Sequence, residues 1–457
     1  MNIRSTWMPT AVRVASAVTL AGSIAVAACS HDQLLGVQTP DIIDVGVANS
    51  PAGAQTFRVS ALGNFARFIG GDLGGSSPLG LNLTGGMLGD EIFSARAGTE
   101  PMDNRNINPN SFPIDTWTQV GNTFTRLVRA INLLTKYPPA SGLNDQLAEL
   151  HAQEGFVFTI VAEDYCNGVP FWDGVEGVNL KTVTLSTTDM YNRAKAQFDS
   201  ALTLATANSS TQYLALVGKA RMLVDINDYA GAAAITGPVP TNFVYNAQYS
   251  KLTTGMVNAI YDWMLGTRNF GASDKEGTNG LDYVSGRDAR ILIDPKTGRG
   301  QDGTLTPTLN QYPGTDSPVP VATGIEARLI EAEAQLKASN PAWITTLNTL
   351  RTTPQKYGQV STTSTSLAPL VDPSPGLFGT PAQVDMLFRE RAFWMYMTAH
   401  RLGDMRRLIR QYGRTQDKVF PTGSYFKGGT YGTDVTLTPS QTETNNPNWQ
   451  ACTDRNA

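Results

Sequence analysis

The sequence has 457 residues, with 35 Lys and Arg against 39 Asp and Glu, so its formal net charge of −4 provides no overall field for binding nucleic acid. Its 41% hydrophobic residues exclude a disordered chain, and its 43 Gly and 26 Pro indicate helices separated by long structured loops. Only three His are present, without an HxxxH or HxH spacing, which argues against a catalytic zinc centre or a Ser/His/Asp triad.

The N-terminus has the features of an export signal. Basic residues precede an uncharged apolar run over 14–28, which is too short and too interrupted by Ser, Thr and Gly to span a bilayer. The run ends in Val-Ala-Ala-Cys at 26–29, which resembles the bacterial lipobox. We therefore expect residues 1–28 to be a signal peptide and Cys29 to carry the lipid. The alternative is ordinary cleavage at the Ala-Val-Ala site of 25–27, which leaves an unlipidated secreted protein.

The remaining two Cys are candidates for a disulfide. With Cys29 assigned to lipid, Cys166 and Cys452 are left, and thiols of exported proteins are more often paired than free. We expect a bond between them that ties the C-terminal tail to the helical body. The alternative is two buried, unpaired thiols, because a sequence alone does not place two Cys within bonding distance.

The first half of the mature chain predicts a long loop followed by helices. Residues 64–116 are Gly-rich and polar, which predicts loops around short helical pieces. Apolar residues then recur at helical spacing over 117–136 and again over 147–166. The first of these helices is closed by Tyr137-Pro138-Pro139, because two successive prolines cannot continue a helix.

Helical hairpins are the clearest repeated signal. Residues 188–206 and 213–228 form one predicted pair, and Ala194 and Phe198 have the Ala-x3-Phe spacing of tetratricopeptide helices. Further hairpins are predicted over 324–351 and 382–412. Since such hairpins bury a continuous core only as a set, we predict a mainly α protein of tetratricopeptide-like hairpins with large irregular loop insertions. The alternative is generic helical packing without a repeat.

The segment between these hairpins, 236–323, is nearly ninety residues long and has no convincing helix beyond 255–265. Insertions of this length usually have a function. Its aromatic, Asn, Asp and Thr residues suit a surface that stacks a ring on a flat apolar face and hydrogen-bonds the edge, as carbohydrate recognition requires. The alternative is that the aromatic residues pack the insertion's own core.

The candidate motifs for catalysis and cofactor binding lack the sequence context that these functions need. Residues 298–303 fit GxGxxG, but the prolines that follow prevent the helix that a dinucleotide site needs, and no P-loop occurs. The neighbouring acids Asp90-Glu91 and Glu163-Asp164 would have to act as glycosidase carboxylates, yet adjacent helical residues point apart. We therefore expect no cofactor, no metal and no enzyme activity.

The C-terminal segment 389–414 contains seven Arg among apolar residues. Alone it would suggest phosphate or nucleic-acid binding. Because the Arg alternate with large apolar residues, we expect instead an internal ion-pair network in which Arg401 and Arg407 pair with Asp404, Glu390 and acids of neighbouring helices.

This segment resembles the signature of the SusD/RagB family of surface nutrient-binding lipoproteins, which reads approximately E-R-x-x-E-L-x-x-E-G-x-R-x-x-D-L-x-R. The matching residues are Glu390, Arg391, Arg401, Asp404 and Arg407. Trp394, Met395, Thr398 and Ala399 depart from it, so the salt-bridge pattern of the family is only partly carried over. Four other segments are also similar in order: 32–40, 164–170, 327–334 and 446–448.

The resemblance implies a SusD-like helical body that acts without catalysis, captures oligosaccharides or, in some members, peptides, and delivers them to a SusC-like TonB-dependent outer-membrane transporter. The expected location is the outer membrane, lipid-anchored and exposed at the cell surface. The expected organisation is a helical part over 29–235, a loop-rich insertion over 236–323, and a C-terminal helical part with a tail over 324–457.

The predicted ligand site combines the loop 93–112 with the insertion 270–312. The residues expected to bind are Arg96, Asp103, Asn106, Tyr283 and Tyr312, the aromatics as stacking platforms and the others as partners for hydroxyl groups. Two alternatives from other classes remain: a helical-repeat scaffold that binds protein partners, and a secreted glycoside hydrolase.

Overall fold

The computed structural model describes residues 49–74, 79–107, 114–172, 182–449, 452 and 455–457. The chain from Pro51 onward forms one compact unit. The predicted signal peptide and Cys29 lie outside the described residues, as does the end of the predicted site loop at Phe112. No helix in the described ranges combines the length and the apolar character needed to cross a membrane.

Helices dominate the described part of the chain, and thirteen of them are α-helices. They are α1 (Pro51–Gly70), α2 (Leu81–Leu88), α3 (Glu100–Asp103), α4 (Ile114–Lys136), α5 (Leu143–Asp164), α6 (Thr187–Leu204), α7 (Ser210–Asp225), α8 (Tyr229–Thr236), α9 (Ala259–Tyr261), α10 (Gly324–Lys337), α11 (Ala342–Thr352), α12 (Pro381–Trp394) and α13 (Arg401–Tyr412). A π-helical turn, Asp262–Gly266, follows α9.

The strands are short and form only two-stranded antiparallel sheets in the described residues. They are β1 (Ile92–Ser94), β2 (Val169–Trp172), β3 (Thr182–Leu185), β4 (Val244–Ala247), β5 (Phe270–Ala272), β6 (Ile293–Arg299), β7 (Leu305–Leu309), β8 (Val319–Thr323), β9 (Lys356–Tyr357) and β10 (Val360–Ser361). The pairs are β1 with β5, β2 with β3, β4 with β8, β6 with β7, and β9 with β10.

Consecutive helices stack side by side around one core. Helix α1 packs on α4, α4 on α5, α5 on α6 and α7, α7 on α8, α8 on α10, and α10 on α11 and α12. The close crossing of α5, α6 and α7 depends on two glycines. A Cβ on Gly155 would lie 2.7 Å from the ring of Phe198, and one on Gly218 would lie 2.5 Å from it. The mainly α architecture is thereby confirmed, as are helices in the three predicted hairpin regions, 188–228, 324–351 and 382–412.

Helix termini show the local sequence signals that define them. Ser186 and Asp189 form a capping box at the start of α6, and Thr380 and Gln383 form one at the start of α12. Helix α13 ends at Gly413, whose φ of +63° suits the left-handed C-cap. These residues fix where the core-forming helices begin and end.

Two expectations about irregular segments are corrected. The predicted loop 64–116 begins inside α1, which continues to Gly70 and buries an apolar face that includes Phe65 and Phe68. The insertion 236–323 contains five strands, and β4 pairs with β8 so that its two ends lie side by side. Strands of three to seven residues carry too little alternation to be identified from the sequence.

The C-terminal tail is attached to the end of α5. Cys166 and Cys452, the pair expected from the sequence, are joined by a disulfide with a Cα–Cα distance of 5.7 Å. Two backbone hydrogen bonds lie beside it. Cys166 N donates to Leu437 O at 3.0 Å, and Leu437 N donates to Asp164 O at 2.8 Å. Trp449 Nε1 also donates to Gly168 O at 2.8 Å.

A buried ion-pair network connects α10, α12 and α13. Asp404 accepts from Arg391 Nε at 2.8 Å and from Arg407 Nη2 at 2.8 Å, and Arg407 Nη1 also binds Glu333 at 2.6 Å. The predicted pairing of Arg407 with Asp404 is confirmed.

Arg401 pairs with Asp90, which follows α2, with Nε 2.9 Å from Oδ1, so its partner is an acid of a neighbouring element and neither Asp404 nor Glu390. Glu390 pairs with Arg290 at 2.8 Å and with Arg351 at 2.6 Å. The sequence analysis expected acids of neighbouring helices without naming them, because Asp90, Arg290 and Arg351 lie on segments distant in sequence.

A buried carboxyl in α5, that of Glu154, predicts an unusual pH dependence of the protein's stability. Gln197 Nε2 donates to Glu154 Oε1 at 2.9 Å, and burial raises the pKa of Glu154 from 4.5 to about 8. The unfolded chain releases this proton near pH 4.5, whereas the folded chain keeps it to about pH 8, so stability falls as the pH rises between these values.

The Glu154→Gln variant keeps the acceptor oxygen and removes the titration. Between pH 6 and pH 8 the wild type should lose about 2 kcal/mol more of its unfolding free energy than the variant, at about 1.4 kcal/mol for each pH unit. Urea unfolding of both proteins at the two pH values measures this difference. An equal loss in the two proteins would contradict the prediction.

Candidate functional site

A cleft of about 730 Å³ lies where β1, β5 and β7 meet the segment that follows α13. Its size is within the range of small-ligand sites in proteins. The lining residues are Phe93, Ala272, Asp274, Lys275, Glu276, Gly277, Thr278, Thr304, Leu305, Pro307, Thr422, Ser424, Phe426 and Tyr431.

One wall of the cleft is the ladder between β1 and β5, in which Phe93 is paired with Gly271. The Phe93 ring lies across the partner strand. A Cβ on Gly271 would be only 2.5 Å from Cζ of Phe93, so a larger residue at 271 would displace the ring. The glycine therefore sets the position of the apolar wall.

A second wall of the cleft is a turn at 423–431. Tyr431 N donates to Gly423 O at 3.0 Å and Tyr425 N donates to Gly429 O at 3.1 Å. Gly429 has a φ of +77°, in the region that glycine adopts without strain. The turn presents Phe426, which is 53% exposed and meets Phe93 edge-on with ring centroids 5.2 Å apart.

Polar contacts hold this turn to its surroundings. Lys427 Nζ lies 2.5 Å from Asp302 Oδ2 in the turn between β6 and β7. The hydroxyls of Thr278 and Thr422 are 2.6 Å apart at the edge of the cleft. The cleft thus combines an exposed aromatic face with hydroxyl groups and with the exposed Lys275, an arrangement that can stack a flat apolar surface and hydrogen-bond its polar edge.

Two buried carboxyls lie at the cleft, Glu276 in its lining and Asp103 behind Tyr425. Glu276 accepts from Ser273 Oγ at 2.7 Å, and Asp103 Oδ2 accepts from Tyr425 OH at 2.7 Å and from Ser94 N at 2.9 Å. Burial, with Asp103 nearby, raises the pKa of Glu276 well above 4.5, and burial raises the pKa of Asp103 to about 7. Burial therefore favours the uncharged form of both carboxyls.

The acidic pairs considered for glycoside hydrolysis lie elsewhere. Asp90, Glu91, Glu163 and Asp164 are each at most 3% exposed, and none of them lines the cleft. Asp90 binds Arg401, and Glu163 accepts from Arg221 Nε at 2.7 Å. Within the described ranges, no group of three or more His, Cys, Asp or Glu is arranged to hold a metal ion.

The stacking role predicted for Tyr283 and Tyr312 is corrected. Tyr283 is fully buried, with its ring 4.7 Å from that of Tyr396, and Tyr312 is 4% exposed and donates its hydroxyl to Met397 O at 2.7 Å. Both rings pack the insertion onto the region between α12 and α13. They leave no ring face available for a ligand.

The other three predicted residues have different surroundings, and none of them lines the cleft. The Arg96 guanidinium lies 5.1 Å from the ring centroid of Trp263, and Asp103 is buried under Tyr425. The side chain of Asn106 is exposed, and its role in binding stays a prediction.

The two predicted segments do contribute to the cleft, through Phe93 and through residues 272–278 and 304–307. The sequence analysis missed the third part, the turn at 423–431. Its signal is a cluster of glycine and aromatic residues, Gly-Ser-Tyr-Phe-Lys-Gly-Gly-Thr-Tyr, which combines turn formers with rings.

No family model matches the sequence, and no curated protein matches it. Solved structures do resemble it. A SusD superfamily protein from Bacteroides thetaiotaomicron has a TM-score of 0.65 at 15% identity, covering 88% of this chain and 99% of that one. A SusD-like carbohydrate-binding protein from Bacteroides fragilis has a TM-score of 0.63 at 15% identity, with the same coverage.

The surface glycan-binding protein A of Bacteroides uniformis has a TM-score of 0.61 at 15% identity, again covering 88% of this chain and 99% of that one. At this identity the similarity establishes the fold.

Proposed function

Because this chain has the SusD-like fold, we propose that it is a non-catalytic binding protein for oligosaccharides and that the cleft at Phe426 is its binding site. The observation that carries the proposal is a half-exposed phenyl ring at the wall of a polar-edged cleft of about 730 Å³. Solved structures of the same fold are described as carbohydrate-binding or glycan-binding proteins, which supports this ligand class.

The cleft has what a sugar chain requires. A pyranose ring has an apolar face of C–H groups that stacks on an aromatic ring, and hydroxyl groups around its edge that need hydrogen-bond partners. Phe426 and the exposed Leu305 supply the apolar surface. Thr278, Thr304 and Ser424 supply hydroxyls that can both donate and accept.

Binding alone fits the chemistry of the cleft. Glycoside hydrolysis needs two accessible carboxyl groups on opposite sides of the bond to be cleaved. Glu276 is 7% exposed and is hydrogen-bonded to Ser273, while Asp274 accepts from Ser285 N at 2.8 Å in its own loop. The carboxyl groups of the cleft are therefore not arranged as the acid and nucleophile of a hydrolase, and the cleft is suited to binding a sugar.

The proposal extends to location and partner. The Val-Ala-Ala-Cys sequence at 26–29 supports lipid attachment at Cys29, and a lipid-anchored SusD-like protein at the cell surface would pass its ligand to a TonB-dependent transporter of the SusC type. Metabolic labelling with a fatty acid should mark the wild type and leave Cys29→Ala unlabelled. Co-purification from detergent-solubilised outer membrane should recover a barrel transporter, whereas recovery of soluble proteins alone would favour the helical scaffold function.

Calorimetry tests the central claim. The protein should bind at least one of maltohexaose, xylohexaose, cellohexaose and mannohexaose, and mass spectrometry should find the bound sugar at its original length afterwards. If the protein binds none of the four sugars but binds oligopeptides, its ligands are peptides and not oligosaccharides. Shortened sugar products that disappear when a carboxylate is changed would establish the hydrolase function.

A further inference from the structure

A single buried arginine connects the two ends of the segment that carries Phe426. The side chain of Arg105 is 1% exposed. Its Nη1 donates to Pro421 O at 2.5 Å and its Nε donates to Asp434 O at 2.9 Å, so one guanidinium holds both ends of segment 421–434. The same group lies over the ring of Phe420, 4.8 Å from its centroid.

The backbone around Arg105 is bonded to the same segment. Asn104 O accepts from Gly432 N at 2.7 Å, Arg105 O accepts from Asp434 N at 3.1 Å, and Ile107 N donates to Asp434 Oδ2 at 2.5 Å. A Cβ on Gly432 would lie 2.2 Å from Arg105 O, so the two strands of chain approach as closely as glycine permits.

This arrangement is costly to maintain. A buried cation normally pairs with a carboxylate, yet the hydrogen bonds of the Arg105 guanidinium go to the main-chain carbonyls of Pro421 and Asp434. Burial lowers the pKa of Arg105 to about 10. Its φ of +59° is also in the left-handed region, which disfavours residues with a side chain. Such features persist where the surrounding contacts hold a residue in place for a purpose.

We propose that Arg105 is a positioning residue of the cleft, which by holding both ends of segment 421–434 sets the place of Phe426 against Phe93. The effect of Arg105 on the turn rests on hydrogen bonds alone. Its effect on ligand binding rests on the proposed function. Arg105 itself does not line the cleft, so it acts on binding only through the segment that it closes.

The test compares Arg105→Lys with a matched control, Arg290→Lys. Lysine keeps the charge, but one ammonium group cannot reproduce both the two hydrogen bonds to the carbonyls and the contact of a guanidinium with the Phe420 ring. Arg290 is equally buried and contacts two aromatic rings, but it binds Asp288 and Glu390, outside the cleft. Both variants are expected to lower the unfolding midpoint in urea.

Hydrogen exchange measured by mass spectrometry on the ligand-free full chain gives the decisive readout. Amides of the peptide 421–434 should exchange at least tenfold faster in Arg105→Lys and at the wild-type rate in Arg290→Lys. Affinity for the hexasaccharide that binds the wild type should fall about tenfold in the first variant only. Unchanged exchange in Arg105→Lys, or equal acceleration in both variants, would overturn the proposal. Because exchange needs no ligand, it decides the role of Arg105 even if none of the four sugars binds.

Discussion

Replacing Phe426 by Ala should lower oligosaccharide affinity by about 30-fold, which corresponds to about 2 kcal/mol of binding free energy. Phe426 is the large aromatic residue of the cleft with an open ring face, since Phe93 and Tyr431 are each 8% exposed. Removing the ring takes away the stacking surface while leaving the turn, whose shape depends on backbone hydrogen bonds and glycines, in place. Calorimetry with the hexasaccharide that binds the wild type measures the loss.

Phe378→Ala is the matched control. Phe378 is also a partly exposed phenylalanine, at 36%, but it lies in the segment before α12 and is not part of the cleft. Its removal should leave the affinity within twofold of the wild type. Wild-type affinity in Phe426→Ala, or an equal loss in both variants, would show that the sugar binds elsewhere.

Replacing Asp404 by Asn should lower the free energy of unfolding by about 3–5 kcal/mol, the cost of leaving buried charges without their partner. Asp404 binds Arg391 through two nitrogens, at 2.8 and 2.9 Å, and Arg407 at 2.8 Å. Burial alone would raise the pKa of Asp404, but Arg391 and Arg407 outweigh it and hold the pKa well below 3.8. Stability from this carboxylate is therefore present at neutral pH and is lost as the pH falls below 3.8.

Asp385→Asn serves as the comparison. Asp385 is also paired with an arginine, at 2.6 Å from Arg414, but its side chain is 68% exposed, so water replaces the lost contact. This variant should change the free energy of unfolding by at most about 1 kcal/mol. Urea unfolding at pH 7 measures the free energy of unfolding of both variants. Similar losses in the two would show that the buried network contributes no more to stability than an exposed ion pair.

The helical part of this molecule was accessible from its sequence because its signals are local. The apolar residues that predicted helices over 188–206 and 213–228 are neighbours in sequence, and the helices observed are 187–204 and 210–225. The exception is α1. Its small residues, Gly, Ala and Ser, gave a weak helical pattern, and its packing on α4 supplies what the propensity lacks.

For the candidate site, the sequence predicted two of the contributing segments but not the residues that line the cleft. In irregular chain no period of 3.6 or 2 tells which ring faces the core, so Tyr283 and Phe426 look equivalent in the sequence although one is fully buried and the other is 53% exposed. Arg105 was also hidden, because its partners are more than 300 positions away and are main-chain carbonyls that no residue pattern marks.

The bond between Cys166 and Cys452 turns most of this molecule into a covalent ring, since 286 positions separate the two residues. A protease that cuts one exposed loop inside the ring, such as the one around Val371, releases no fragment while the bond is intact. Such nicked molecules would migrate as two pieces only after reduction. A single cleavage inside the ring therefore leaves the Phe93 part of the cleft, which precedes the ring, joined to the Phe426 part, which lies within it.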